Sequence, residues 1–296
     1  MEAYNHLTNP DGIFSGNMDF FSKESSYLRT FFRRLYIVKI GDEMKTKIYF
    51  DNEKWIAGIT LKDSSEFEQN NMALHVCENP LNILENRKKL ASSLNCEIQD
   101  FVCANQTHSA NVHHVKVSDK GCGAESLESA IQNTDALYTY EPNVLLCTFT
   151  ADCVPVIFYH QTKGLIGVIH SGWQGTVKEI TRKVFEQLVN NERCNPSDFH
   201  VVLGPALSQE KFEVDIDVYE KFKALGYADD FMYYKSETNK YHIDNQLTVK
   251  KQCELTGIPS KNITIDSTCT FISSEGFSYR QDKKSGRHLS FIMKKG

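Results

Sequence analysis

Two histidines and a cysteine stand where apolar, strand-like runs end. His108 follows Asn105-Gln106-Thr107. Cys153 lies within Thr150-Ala151-Asp152-Cys153-Val154-Pro155, and His170 closes Leu165-Ile166-Gly167-Val168-Ile169. Two imidazoles and one thiolate suit a borderline-soft ion such as Zn2+. Three protein ligands would leave a fourth position open, where a catalytic ion lowers the pKa of bound water to about 7. The residues are 45 and 17 positions apart (108, 153, 170), a spacing with no local signature. The plainer alternative therefore stays open: two hydrogen-bonded, partly buried histidines and a core thiol. His170 leads into Ser171-Gly172-Trp173-Gln174-Gly175-Thr176. The glycines permit sharp turns and close backbone approach. A helix starting near Thr176 would aim free N–H groups back toward His170, a seat for phosphate. An ordinary strand–turn–helix corner with a packed Trp fits the same residues.

The elements that must position these residues are legible from their patterns. Strands are expected at Leu35–Ile40, Lys47–Phe50, Ile56–Thr60, Ile98–Cys103, Val112–Val117, Ala136–Tyr140, Val144–Phe149, Val154–His160, Leu165–Ile169 and Phe199–Leu203. Gly41-Asp42 reads as a turn, and Gln161-Thr162-Lys163-Gly164 as a hairpin turn. Asn79-Pro80 opens a helix to about Leu94 with Leu81, Leu84, Ala91 and Leu94 near one face. A long amphipathic helix is expected from near Thr176 to near Asn190, with Val177, Ile180, Val184 and Leu188 at helical spacing. Further helices are expected near Val218–Ala224 and Asn245–Thr256. Strands and helices mix without strict βαβ alternation, which indicates an α+β or layered mixed-sheet fold.

Composition sets the bounds. The chain has 296 residues, 41% of them hydrophobic and 24% charged, which fits a packed globular protein of one or two domains. The net charge of −5 offers no basic excess for nucleic acid. No run approaches the ~20 apolar residues of a membrane span, and the polar N-terminus lacks a signal-peptide pattern. Nine cysteines, an odd number without a Cys-x-x-Cys pair, point to reduced thiols and a cytoplasmic location. P-loop, Gly-x-Gly-x-x-Gly and Gly-x-Ser-x-Gly motifs are absent. Residues 1–34 read as an N-terminal extension and 35–296 as a single catalytic domain.

Seven segments recur in order in a known family: Asn71-Met72-Ala73-Leu74-His75-Val76, Gln106-Thr107-His108-Ser109-Ala110, Thr134-Asp135-Ala136-Leu137, Ala151-Asp152-Cys153-Val154-Pro155, His170-Ser171-Gly172-Trp173-Gln174-Gly175-Thr176, Gly204-Pro205-Ala206 and Phe277-Ser278-Tyr279-Arg280. From about Ile56 to the C-terminus the chain resembles the bacterial YlmD/YfiH family. That family has long been labelled laccase domain or polyphenol oxidase, and is described as purine nucleoside phosphorylases. The resemblance implies a four-layer α/β/β/α mixed β-sandwich, shared with the catalytic domain of cytotoxic necrotizing factor. It implies one zinc ion on His108, Cys153 and His170. It also implies phosphorolysis of adenosine, inosine, guanosine and methylthioadenosine, with adenosine deamination. Two departures stand out: Gln174 occupies a position where the family usually has Arg or Lys, and Lys62-Asp63-Ser64-Ser65 replaces a glycine-rich loop. Copper could take the same three donors. A multicopper centre is not expected, because the histidines (His6, His75, His108, His113, His114, His160, His170, His200, His242, His288) form no His-x-His pair.

With purine nucleoside and phosphate as the expected partners, Asp152 is the candidate proton-moving carboxylate; its alternative role is a hydrogen bond to a ligand histidine. Arg280, Arg87 and the helix start at Thr176 are candidates for phosphate, and Asn71 and Gln106 for ribose or base. A competing expectation is a cysteine hydrolase, with Cys153 as nucleophile and His170 or His108 as base, possible work for it being the editing of a cell-wall precursor. A third is a non-catalytic nucleoside-binding protein.

Overall fold

Along the strand Leu145–Thr150, Leu145, Cys147 and Phe149 point to one side and Leu146 to the other, and all four are buried. The same two-sided burial recurs at Val154–His160, where Val154, Val156 and Phe158 oppose Ile157. Side chains alternate across a strand, so strands apolar on both faces must lie between two other layers.

In the computed structural model, residues 44–296 and the short strand at 36–37 are described. The expected extension at 1–34, the turn at Gly41-Asp42 and most of the expected strand Leu35–Ile40 lie outside the described residues. One six-stranded sheet runs β1 (Tyr36–Ile37), β2 (Thr46–Asp51), β3 (Trp55–Thr60), β15 (His288–Lys294), β7 (Leu145–Thr150), β4 (Phe101–Cys103). A second runs β14 (Ile263–Ile265), β10 (Phe199–Leu203), β8 (Val154–His160), β9 (Ile166–Ser171), β6 (Ala136–Thr139), β5 (Val112–His114). Both are mixed: β4 pairs parallel with β7, as do β5 with β6 and β10 with β14, among otherwise antiparallel neighbours. A small antiparallel sheet joins β11 (Glu213–Val214), β13 (Lys240–Ile243) and β12 (Met232–Lys235).

The two large sheets meet face to face through Trp55, Ala57, Val102, Leu146, Ile157, Ile166, Val168 and Ile292. The outer face of the first sheet is covered by α1 (Pro80–Ser93), whose Leu90 and Ala91 pack with Phe101, Leu145 and Phe291. The outer face of the second is covered by α3 (Ile180–Asn190) and α5 (Asn245–Leu255), through Val184, Phe185, Leu188, Val249 and Cys253. This is a four-layer α/β/β/α mixed sandwich of the α+β class.

Two helices differ from the sequence expectation. In α1 the cap is as expected, with Asn79 accepting from Leu81 N and Pro80 in the first turn. Of the expected face, Ala91 and Leu94 are buried and Leu84 is partly buried against the same core, but Leu81 is 67% exposed, and Ile83, Asn86, Arg87 and Leu90 are buried as well. A buried arginine on the inner face hides the true periodicity. The single helix expected from Thr176 to Asn190 is two: α2 (Trp173–Val177) starts earlier, at Gly172, and α3 follows. The break is Glu179, left-handed at φ +59, whose carboxylate accepts from Arg182 and Tyr227, each at 3.0 Å. No Gly or Pro marks it. The remaining helix expected near Val218–Ala224 forms as α4 (Ile216–Lys223).

Candidate metal centre

The ladder registers bring the chemistry together. In β6 and β9, Ala136 pairs with Ile169, so Asp135 falls beside His170, and His170 N donates to Asp135 O at 2.7 Å. In β8 and β9, Val154 pairs with Ser171, so Cys153 falls opposite Gly172. A one-residue slip in either ladder would turn these side chains to the wrong face.

His108 reaches the same place from a loop after β4. It is left-handed at φ +57, a conformation that costs a non-glycine residue energy unless the surroundings impose it. Here the Asp135 carboxylate imposes it. Oδ1 accepts from His108 N at 3.0 Å; Oδ2 accepts from Thr107 N at 3.2 Å, Ser109 N at 2.7 Å and Ser109 Oγ at 2.7 Å. Oδ1 also accepts from His170 Nδ1 at 2.8 Å. One buried carboxylate thus shapes the His108 loop and fixes the His170 ring, leaving Nε2 of His170 as its free nitrogen.

One donor atom each from His108, Cys153 and His170 lies within 4.8 Å of the others. Cys153 Sγ stands 3.9 Å from His108 Nε2, and the two imidazole centres are 4.7 Å apart. Gly172 leaves the room between them: a Cβ there would come within 2.7 Å of His108 Cδ2 and 2.8 Å of Cys153 Sγ. The donor types, their spacing and the carboxylate behind His170 all fit a zinc ion.

The charges agree. Burial alone would raise the Cys153 thiol, but the His170 charge and hydrogen bonds from both histidines bring it down to about 6. Burial opposes the charge on His170, yet Cys153 and Asp135 lift it to about 9. Asp135, despite its burial, is held at about 2, chiefly by His170 and Ser109. The metal-free site is therefore a thiolate–imidazolium pair backed by a carboxylate.

The other expected site residues have different surroundings. Arg87 is a correction: it is 1% exposed, and its donors go to the carbonyls of Met72, Gly123 and Ala124 at 2.6–2.9 Å. It braces loops inside the core beside the Phe149 ring. Thr176 is not a helix start. It is fully buried inside α2, its N–H donates to Gly172 O, and its hydroxyl pairs with Ser171; a five-residue helix offers no phosphate seat there. Gln106 clamps the end of β7, donating to Phe149 O and accepting from Phe149 N, both at 2.8 Å. The Asn71 amide is engaged with Val76 O, Ala73 N and Arg287 N. Both amides therefore hold backbone in place. Asp152, left-handed at φ +79, accepts from Thr270 Oγ1 and Arg280 N, each at 2.7 Å, and binds neither ligand histidine. The Arg280 side chain is exposed and donates to Glu213 O.

Three residues of this site had no role in the sequence reading. Asp135 was visible only as part of a motif. His75 likewise stood only within a quoted motif, and Arg287 bore no local signal. His75 stands exposed at the rim; crowding around its ring, then the charges of Arg287, Arg87 and His170, hold it near 4, so it is neutral at pH 7.

Fold and site define a class: a layered mixed sandwich carrying one His–Cys–His cradle at its strand ends. Residues 60–295 match the family described as Multi-copper polyphenol oxidoreductase laccase. The chain is 36% identical over 248 residues to the Bacillus subtilis purine nucleoside phosphorylase YlmD, covering 82% of this chain and 89% of that one. It is 33% identical over 244 residues to YlmD of Geobacillus stearothermophilus, covering 80% and 89%. Two solved structures superpose closely. YfiH of Bacillus licheniformis has TM-score 0.80 and 32% identity, covering 85% of this chain and 97% of that one. YlmD of Geobacillus stearothermophilus has TM-score 0.81 and 29% identity, covering 88% and 99%. The chain belongs to the YlmD/YfiH family, the laccase-like family. Among the described residues only one cluster of side chains could hold a metal.

Proposed function

We propose that the chain is a zinc-dependent purine nucleoside phosphorylase of the cytoplasm, active on adenosine, inosine, guanosine and methylthioadenosine, and that it also deaminates adenosine. The observation that carries this reading is the convergence of His108, Cys153 and His170, with Asp135 bonded behind His170. The names of two relatives, purine nucleoside phosphorylase YlmD of Bacillus subtilis and of Geobacillus stearothermophilus, support it further.

In this reading one Zn2+ ion on the three side chains supplies Lewis-acid polarisation when bound. The chain's own groups do the rest. Asp135 fixes the tautomer of His170 and the bend at His108. Cys153 enters as thiolate, the form that ligates. Asp152, adjoining Cys153 and held by Thr270 and the Arg280 backbone, is the candidate to move a proton. His75, held neutral and without a hydrogen-bond partner among the described residues, is the candidate to bond the nucleoside.

The test is metal analysis of the purified chain together with chromatography of products from adenosine and phosphate. Adenine with ribose 1-phosphate reports phosphorolysis, and inosine reports deamination. Cys153→Ala should lose both zinc and turnover; retention of both would end the reading.

The thiolate–imidazolium pair favours one second reading, a cysteine hydrolase acting on an amide such as a wrongly built cell-wall precursor. Alkylation by iodoacetamide separates the two. A zinc enzyme is protected until chelator is added, whereas a hydrolase thiolate reacts without it.

A further inference from the structure

Arg287 lies beside the triad, half-buried, and its charge acts on Cys153, Asp152 and His75. Its backbone is fixed from both sides: Arg287 N donates to Asn71 Oδ1 at 2.9 Å, and Met72 N donates to Arg287 O at 3.2 Å. The preceding glycine packs against the same wall, since a Cβ at Gly286 would come within 2.8 Å of Asn71 and 2.7 Å of Phe277. The guanidinium is fixed as well. Nη1 donates to Ser285 O and Gly286 O, and Cζ stands 5.7 Å from the ring centre of Tyr279.

Nε and Nη2 make no hydrogen bond to a described residue, and no described carboxylate lies within ion-pair distance. With Nη1 held back, the free side of the guanidinium is the edge carrying two parallel N–H groups. That edge matches two oxygens of a phosphate, whereas an ammonium offers only a point charge. A partly buried cation left unpaired is costly unless an anion completes it. The other arginine candidates differ. Arg87 has Nε, Nη1 and Nη2 all engaged with carbonyls. Arg280 holds Nη1 on Glu213 O much as Arg287 does on its own carbonyls, but it is exposed, so water serves its remaining donors.

We propose that the Nε/Nη2 edge of Arg287 is the seat of the phosphate co-substrate. This rests on the phosphorylase reading for its substrate, and on the geometry alone for the anion. Arg287 takes the task expected of Arg87 and Arg280.

The test uses inorganic phosphate with the full chain, Arg287→Met and Arg287→Lys, folding being checked by thermal denaturation. Phosphate binding is measured by calorimetry, and inosine phosphorolysis with each substrate varied in turn. Arg287→Met should weaken phosphate binding and raise KM for phosphate by roughly tenfold or more, with KM for inosine within about twofold. Arg287→Lys, keeping the charge without the paired edge, should fall between. If Arg287→Met does not fold, Arg287→Lys decides by the same ratio. Unchanged phosphate binding and KM in a folded variant, or a rise in KM for inosine instead, overturns the proposal. So does a parent chain that binds no phosphate. A chain that binds phosphate through Arg287 yet releases no ribose 1-phosphate refutes the phosphorylase reading and leaves the seat standing.

Discussion

Asp135 Oδ1 lies 2.8 Å from His170 Nδ1 and 3.0 Å from His108 N, so one carboxylate holds two residues that are 62 positions apart (170 − 108). It does so because the β6–β9 register sets its backbone against His170 while the His108 loop wraps its free oxygens. Without it, the His170 ring loses its tautomer and the left-handed His108 loses its support.

Asp135→Asn should therefore weaken zinc binding by about 10–100-fold, the usual effect of removing a carboxylate behind a ligand histidine. All five partners of this carboxylate are donors, so in either orientation the amide turns its N–H groups toward a donor. Competition against a chromophoric chelator measures this, and wild-type affinity in the variant would refute the role given to Asp135.

Gly172 tests the cradle itself. At φ −68 its backbone suits any residue, so the cost of Gly172→Ala is steric and local: the new methyl meets His108 and Cys153 at under 3 Å. Overpacking of this kind costs roughly 1–3 kcal/mol. Metal content by elemental analysis should fall well below that of the parent, while urea unfolding stays cooperative. Full metal occupancy would show that the cradle is wider than described.

Arg87→Met separates a buried brace from a substrate contact. The variant leaves the carbonyls of Met72, Gly123 and Ala124 without their donor. Each such buried group costs about 1–3 kcal/mol, so the loss in urea unfolding should be several kcal/mol. A loss below about 1 kcal/mol would contradict a structural role.

Stability should also fall in mild acid through His288. Burial holds this imidazole down to about 4, helped by Lys62 and opposed by the Thr60 carbonyl. Nδ1 donates to Thr60 O at 2.7 Å and Nε2 accepts from Phe277 N at 2.8 Å, so the fold needs the neutral ring. The folded value lies below the unfolded one near 6.5. The contribution is therefore complete above about pH 6.5 and is lost as pH falls toward 4, by roughly 3 kcal/mol in all. His75 shifts in the same direction, so His288→Gln should flatten the pH dependence of urea unfolding without abolishing it. An unchanged slope would sink the assignment.

Much of the fold was readable along the chain because strands buried on both faces write a clear pattern. The strands at Val154–His160 and Phe199–Leu203 were expected at their observed bounds, and β7 and β9 within a residue or two. Failures came where a polar side chain decided the local structure. Glu179 divides a helix that its apolar spacing joins, and Arg87 sits on the inner face of α1 where the pattern seeks an apolar residue. The expected strand Ile98–Cys103 opens instead with a helical turn, Ile98–Asp100, which a reciprocal pair of bonds between Glu97 and Asp100 closes.

Residue types and motifs bound the chemistry open to this chain: the absence of a His-x-His pair speaks against a multicopper centre, His108, Cys153 and His170 offer a three-donor set, and the strand and helix patterns indicate a layered mixed-sheet fold. Local spacing says nothing about convergence, since positions 108, 153 and 170 meet only through strand pairings between distant segments. The same holds for what each polar side chain is free to do. Arg87 and Arg287 are the same residue type, yet packing surrounds one with carbonyls and leaves the other an open two-donor edge beside the triad. Which donors stay free depends on the neighbours brought in by tertiary contact, and those are not near in sequence.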